Sequence, residues 1–580
     1  MLALFSPRRT RLDLSEIDHT GEGFNLSRAE KFMVMYLNTS MTRTAALSRL
    51  KADLQAAISV ELATIPIYLY TYYSLKRDNS TGENINQAQL FANKAGGVIM
   101  SVAVEEMLHM SLSSNIYYAL TGTPPKLYMN APPIYPAMLP HHNPVGPPGP
   151  DGDTDTHIPL GKFGFEQLWH FLQIEYPEVP SNETFEALSE AEDLETTLRH
   201  YLHQHGWPAD ENWNSIGQFY SFIRCLIASD HVTDADFSNG DKDQQIQHYN
   251  YAPNNIDTIY PEGKFNPWKP APKSKWTTAD ANASGITQPD FMGSTVTGAA
   301  DVTQFPNAPD SHAGAFELIT VHNRQDAMNA LETICEQGEG YADPGGAEGA
   351  NADADDEEDS HFFKFLSLQA QLKEFKDTKE RLPAWMADSI QQMETWERYQ
   401  GEFAVWSEED MVAAQVLSDF PDSPVGASYP KDLAALNDFN SGLFQYMLIM
   451  TETLYMVPPG ANSGASGLVE NQKWFFNVGL HRSMIWVMDK WIKFMRGIEI
   501  SEGPYKGKML APTFENLSLG HPEDAFENLK VLGAKARAAG AAIGNTGGDS
   551  IIAQALSLMD GTHSMHLPDV APYWKSKEGN

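Results

Sequence analysis

Leu47, Leu50, Leu54, Ile58, Ile65 and Tyr72 recur at intervals of three, four and seven residues. That is the period of one helix face, and it predicts a helix over about 44–75. Pro66 falls inside this run, and because proline has no N–H for the carbonyl of Leu62 a bend is predicted there. A second helical run, about 87–120, stops at the Gly- and Pro-bearing stretch TGTPP. Further helical patterns cover about 213–229, 324–338, 361–376, 386–401, 434–457 and 470–496. No stretch is rich in strand patterning and no repeat of fixed period occurs, so the fold class predicted is all-α, a helical bundle with extra helices and long irregular loops.

The loops interrupt this pattern in three places. Residues 131–161 are proline-rich, and residues 232–310, rich in Asp, Asn, Pro and Gly, read as an irregular insertion. Residues 341–360 are acidic and of low complexity, and mutual repulsion predicts a solvated, mobile loop. The organisation predicted is a lead-in over 1–43, a bundle over 44–400 containing the insertion and the acidic loop, additional helices over 401–545, and a tail over 546–580.

Ionisable residues sit on the apolar stripes themselves. Glu61 lies on the stripe of Leu54, Ile58 and Ile65. In the next helix Glu106 and His109, spaced i, i+3, share a face with Val102, Ser113 and Ile116, while Glu105 and Met107 point elsewhere. Burying an ionised carboxylate alone costs several kcal/mol, and a cluster of like charges costs more. A divalent cation offsets this by neutralising the carboxylates and accepting the imidazole lone pair. One Glu on one helix and Glu-x-x-His on the next is half of the carboxylate-bridged two-metal site of ferritin-like bundles.

The other half is less regular. The third helix offers Gln218, with Phe222 and Cys225 on its face; it is neutral, and suits orienting a ligand by a hydrogen bond. The fourth offers Glu336 and Glu339, and His361 lies beyond the acidic loop. Glu332, Glu336 and Glu339 at i, i+4, i+7 also describe a solvated face, and His361 before FFKF also describes a core histidine. Tyr68, Tyr72 and the 131–161 loop are the expected walls of a substrate pocket.

Composition narrows the function. Over 580 residues, 42% apolar and 11% aromatic content suffices for a sizeable core. Lys and Arg total 40 against 76 acidic residues, and the resulting charge of −36 repels phosphates and anionic membranes, so neither nucleic acid nor membrane is an expected partner. The longest apolar helical stretch, 442–457, is short and broken by Glu452, whereas a span needs roughly 20 apolar residues. Cys225 and Cys335 form no disulfide framework; reduced thiols fit a cytoplasmic protein, with one bridge as the alternative. The apolar run at the start, MLALFSPRRTRLDLSE, is too short for a secretory signal. No nicotinamide, flavin or ATP motif occurs, nor Cys-x-x-Cys-His; non-covalent haem stays open.

Six ordered motifs carry a resemblance. LQAAISVELATIPIYLYTYYS (54–74), VAVEEMLHMSLSSNIYYALTGTP (102–124), SIGQFYSFI (215–223), ICEQGEG (334–340), SHFFKF (360–365) and MLAPTFEN (509–516) resemble the ferritin-like domain of the iminophenyl-pyruvate dimer synthase family. The likeness runs over roughly 45–515. It implies a ferritin-like bundle and an activity like that of enzymes of violacein and indolocarbazole biosynthesis, which oxidatively couple imines of aromatic 2-oxo acids. The function expected is a non-haem metal-dependent oxidase or oxygenase using dioxygen or peroxide on a small organic substrate, with one or two iron ions and manganese, copper or zinc as alternatives. Glu61, Glu106 and His109 would hold the metal, and Glu336, Glu339 and His361 would complete the shell. The family's third motif carries Glu where this chain has Gln218, so unequal filling of two metal positions is expected. A non-catalytic metal-binding or structural protein of the same fold is the alternative.

Overall fold

A computed structural model describes residues 20–21, 23–77, 87–139, 157–176, 215–246, 318–338, 360–382, 405–457, 487–544 and 567–575, together with 198, 199, 202, 213, 472, 475 and 559. The fold is an all-α arrangement whose described residues include a single two-stranded sheet. Helix α1 (Arg28–Ser40) opens with a capping box in which the Glu30 N–H donates to Ser27 Oγ and the Ser27 N–H donates to Glu30 Oε2. Thr42 caps α2 (Arg43–Ser74), and α3 (Gln87–Thr121) packs against α2 along its length. The two run antiparallel: Gln55 meets Lys126 just past the end of α3, whereas Arg77 meets Gly96 near its start.

Helix α2 continues through Pro66, and every residue from Val60 to Ser74 is buried. Neighbours on all sides stabilise this stretch, which offsets the hydrogen bond lost at proline. Three shorter helices complete the surroundings of α2 and α3: α4 (Phe165–Ile174), α5 (Ile216–Ala228) and α6 (Arg324–Gln337). Then follow α7 (His361–Gln369) and α8 (Phe375–Arg381), where one helix over 361–376 was expected; a turn at residues 370–371 and the Leu372–Trp406 bridge separate them.

Towards the C-terminus come α9 (Glu408–Ala413), α10 (Lys431–Leu454), α11 (Asp489–Met495), α12 (Ala525–Ala542) and α13 (Ala571–Trp574). Helix α10 packs on α12, where the absence of a side chain at Gly442 leaves room for Leu532. The apolar interior is one continuous cluster reaching from α1 to the C-terminal helices. No described helix is long and apolar enough to cross a membrane.

The segments outside the long helices carry structure of their own. The lead-in contains a capped helix, α1. The proline-rich loop contains a short antiparallel pair, β1 (Ala137–Met138) with β2 (His157–Ile158), and the insertion begins with 3-10 turns at Asp234–Ser238 and Lys242–Gln244. Helix α4 had no counterpart in the sequence reading. The acidic residues 341–359, the pattern at 386–401 and most of 470–486 lie outside the described residues.

Glu452 ties α10 to the chain that follows α3. Its Oε1, on the last turn of α10, accepts the Leu127 and Tyr128 N–H groups at 2.6 Å each. Burial pushes its carboxyl from 4.5 up to about 7, against the pull of those two donors. A carboxyl raised by folding contributes stability below pH 4.5, and that contribution is lost as pH rises through 7. Glu452→Gln keeps the acceptor oxygen without the charge. It should unfold like wild type near pH 4.5 and be the more stable protein at pH 8, by up to about 3 kcal/mol. Thermal or urea unfolding across that range checks this; a gap that does not widen with pH contradicts it.

Candidate metal centre

Five ionisable side chains converge from four helical segments, each at most 3% exposed. Glu61 comes from the middle of α2, and Glu106 and His109 come from α3. Glu175 directly follows α4, its N–H donating to the Phe171 carbonyl at 3.0 Å. His361 opens α7, its N–H donating to the Gly338 carbonyl at 3.0 Å, so the end of α6 fixes the start of α7.

The donor atoms form two overlapping sets. Glu61, Glu106 and His109 each place one ligand atom within 4.8 Å of the others, and so do Glu106, Glu175 and His361. Glu106 belongs to both. His109 Nδ1 lies 3.7 Å from Glu61 Oε2, and His361 Nδ1 lies 3.0 Å from Glu106 Oε1 and 3.5 Å from Glu175 Oε2. The imidazoles stack with centroids 5.5 Å apart.

A surrounding layer holds these groups in place. The Tyr220 hydroxyl donates to Glu61 and the Tyr68 hydroxyl to Glu175, while Thr64 Oγ1 donates to Glu106 Oε2 at 2.9 Å. Glu105 Oε2 lies 2.7 Å from His361 Nε2 and accepts from Lys364 Nζ, also at 2.7 Å. A carboxylate behind Nε2 favours the proton on that nitrogen and turns the Nδ1 lone pair towards Glu106 and Glu175. Nδ1 is buried and lacks the alignment for a hydrogen bond despite its neighbours.

The electrostatics show a cluster short of positive charge. Burial raises the Glu61 carboxyl, and burial together with Glu61 pushes Glu106 up to about 7. Burial alone would lower the basicity of His361, but Glu175, Glu105 and Glu106 outweigh it and hold the imidazole well above its ordinary range. Burial would raise Glu105 as well; Lys364 and His361 overcome it and hold that carboxyl at about 2. Protons thus balance the charge without metal, and a divalent ion would have to displace them to bind.

The donor set fits metal. Two ligands about 2 Å from one ion lie within about 4 Å of each other, so the observed spacing needs only small side-chain adjustment. Three carboxylates and two imidazoles suit iron or manganese. A cavity of about 20 Å³ adjoins the cluster, with room for one water-sized group.

Of the residues expected from sequence, the structure brings Glu61, Glu106, His109 and His361 together. The Glu336 side chain and all of Glu339 lie outside the described residues. Gln218 is buried but does not line the cavity. It shares its face with Phe222, which packs tilted on Trp213 with ring centroids 4.5 Å apart, and with Cys225, whose thiol lies 3.6 Å from the Glu30 carbonyl. The residue of α5 that reaches the cluster is Tyr220. Tyr68 supports Glu175 from behind, and Tyr72 packs at 5.0 Å on Tyr73 and accepts from Arg77; neither lines the cavity.

Sequence reasoning missed Glu175, Glu105, Tyr220 and Lys364. Glu175 carried a readable signal, falling at i+7 and i+3 from the buried Leu168 and Leu172, the same anomaly that marks Glu61. Glu105 was expected off the inward face, yet it is 2% exposed because α7 covers that side of α3.

A family model described as ferritin-like matches residues 54–265 and 283–370. Among solved structures, a ferritin-like protein from Caulobacter vibrioides is similar over 76% of this chain and 96% of its own, at 15% identity and a TM-score of 0.34. No curated protein matches.

Proposed function

Because the chain belongs to the ferritin-like family, we propose that it is a non-haem oxidoreductase that binds two metal ions, iron foremost, and uses dioxygen or peroxide to oxidise a small organic substrate. The observation that carries this reading is Glu106, one carboxylate common to two buried triads. Glu61 and His109 would hold one ion, Glu175 and His361 the other, with Glu106 spanning both. Bound iron would supply the electron transfer to oxygen that no side chain here provides.

The chain's own residues do the positioning. Tyr220 and Tyr68 each fix a carboxylate that belongs to a single triad. Glu105 and Lys364 lock the His361 ring so that Nδ1 faces inward. Oxidation or oxidative coupling of an aromatic imine or 2-oxo acid is the finer form of the proposal, supported by the motifs at 54–74 and 102–124. A second reading, metal binding without turnover, draws on the small size of the cavity.

The experiment is metal analysis after anaerobic loading with ferrous iron, followed by oxygen consumption with and without aromatic 2-oxo acid and ammonia. About two ions per chain and substrate-dependent oxygen uptake are expected. Two ions with uptake that ignores every organic substrate would favour the second reading, and a chain that retains no metal would end both.

A further inference from the structure

We propose that oxygen-derived ligands reach the metal centre through a port between the first turn of α5 and the last turn of α6, that Gly217, Gly338 and Cys335 set its width, and that the organic substrate stays outside. This rests on the two-metal reading above.

The cavity has two unlike sides. Its floor is polar and buried: Glu61, Glu106, His109, Glu175 and Tyr220. Its opposite side is Ile216, Gly217, Ile334, Cys335 and Gly338. Of the described residues lining it, Ile216, Gly217, Cys335 and Gly338 are half-buried, so the route to the surface passes them.

Among the described residues, other directions are filled. Tyr68, Phe171 and Phe365 pack as a triangle of rings, 4.7–5.3 Å between centroids, behind Glu175. Glu105 and Lys364 fill the space behind His361, and α2 is buried throughout its second half.

Gly338 shows that the space matters. Glycine after a helix usually serves a left-handed φ. Gly338 has φ −70° and ψ −89°, not the left-handed conformation, so a positive φ is not what calls for glycine there. A Cβ at Gly338 would lie 4.0 Å from His109 Cε1 and 3.1 Å from the Ile334 carbonyl oxygen. Alanine therefore fits with a small shift, while the two methyls of valine would project into the opening beside His109.

Size then selects the ligand. About 20 Å³ admits water, hydroxide, dioxygen, peroxide or nitric oxide. Sites that enclose a ring-bearing organic molecule measure roughly 300–1,000 Å³. An aromatic substrate would thus meet the rim and not the floor.

The test uses the full-length protein loaded with ferrous iron, and nitric oxide as the dioxygen mimic, followed by stopped-flow absorbance. Gly338→Val should bind nitric oxide about tenfold more slowly than wild type, a modest steric barrier. Its rate is compared per bound iron, because the Gly338 carbonyl also holds the start of α7, and Gly338→Ala should stay close to wild type. Alkylating Cys335 on the already loaded wild type blocks the same opening without refolding, since Cys225 is buried and Cys335 half-buried; it should slow binding likewise. Wild-type kinetics in an alkylated protein that keeps two ions would overturn the port alone. A wild type that holds no iron would overturn the metal reading beneath it.

Discussion

Glu106→Gln should lose both metal ions. Glu106 is the one side chain shared by the two triads, so its charge acts on each position. At an effective dielectric of about 20, a unit charge about 4 Å from an ion is worth roughly 4 kcal/mol. Each site should therefore weaken by about three orders of magnitude. The amide keeps the shape of the side chain and leaves Thr64 a partner, so the fold should survive. Removing a buried carboxyl that its surroundings push up to about 7 should also leave the metal-free variant at least as stable as metal-free wild type at pH 8. Metal stoichiometry after dialysis against a weak chelator, with thermal unfolding of both metal-free proteins, measures the two effects separately. If the variant retained two tightly held ions, Glu106 would not be the bridge. If it unfolded outright, the loss of metal would say nothing of ligation, and Glu106→Asp, which shortens the reach but keeps the charge, would carry the test through a weaker but measurable affinity.

How much of this was legible in sequence depended on how many faces each helix buries. A stripe is readable where one face is covered and the other is wet. On α2 the residues Leu54, Ile58, Glu61 and Ile65 still read as one line, and Glu61 emerged from it. On α3 the run Glu105, Glu106, Met107, Leu108 and His109 is buried on every side. There the stripe identified Glu106 and His109 and discarded Glu105, because periodicity carries no information once all faces are covered. Helix α4 failed for the opposite reason: its ten residues gave too short a window, and Glu175 lies just past its end. On α5 both the Ile216–Tyr220 and the Gln218–Phe222 lines are largely buried, and nothing in the sequence says which one meets the carboxylates. A polar amide in a helix resembling one that carries Glu drew the reading to Gln218, while the cluster is reached by a tyrosine. The ferritin-like class itself was accessible because it rests on long helices, Arg43–Ser74 and Gln87–Thr121, whose pattern is extended enough to be unambiguous.

That displacement from Gln218 to Glu175 has a measurable consequence. Had Gln218 occupied the third-carboxylate position, one metal site would lack an anionic ligand, and Gln218→Glu would add it. The structure instead places Glu175 with Glu106 and His361, and puts Gln218 on the face of Phe222 and Cys225. Three carboxylates, Glu61, Glu106 and Glu175, are then available to two divalent ions. Glu175→Gln should release one ion and keep the other, because Glu61, Glu106 and His109 are untouched. The affected position should weaken by the same unit-charge scale of roughly 4 kcal/mol, about a thousandfold. Gln218→Glu should add no metal. It buries a carboxylate at a position only 3% exposed, away from the cavity, so bound metal should stay at the wild-type count while stability falls by about 2–4 kcal/mol. Calorimetric metal titration of both variants, with urea unfolding of each, separates the two roles. The assignment fails if Glu175→Gln still takes up two ions of equal affinity, or if Gln218→Glu binds more metal than wild type.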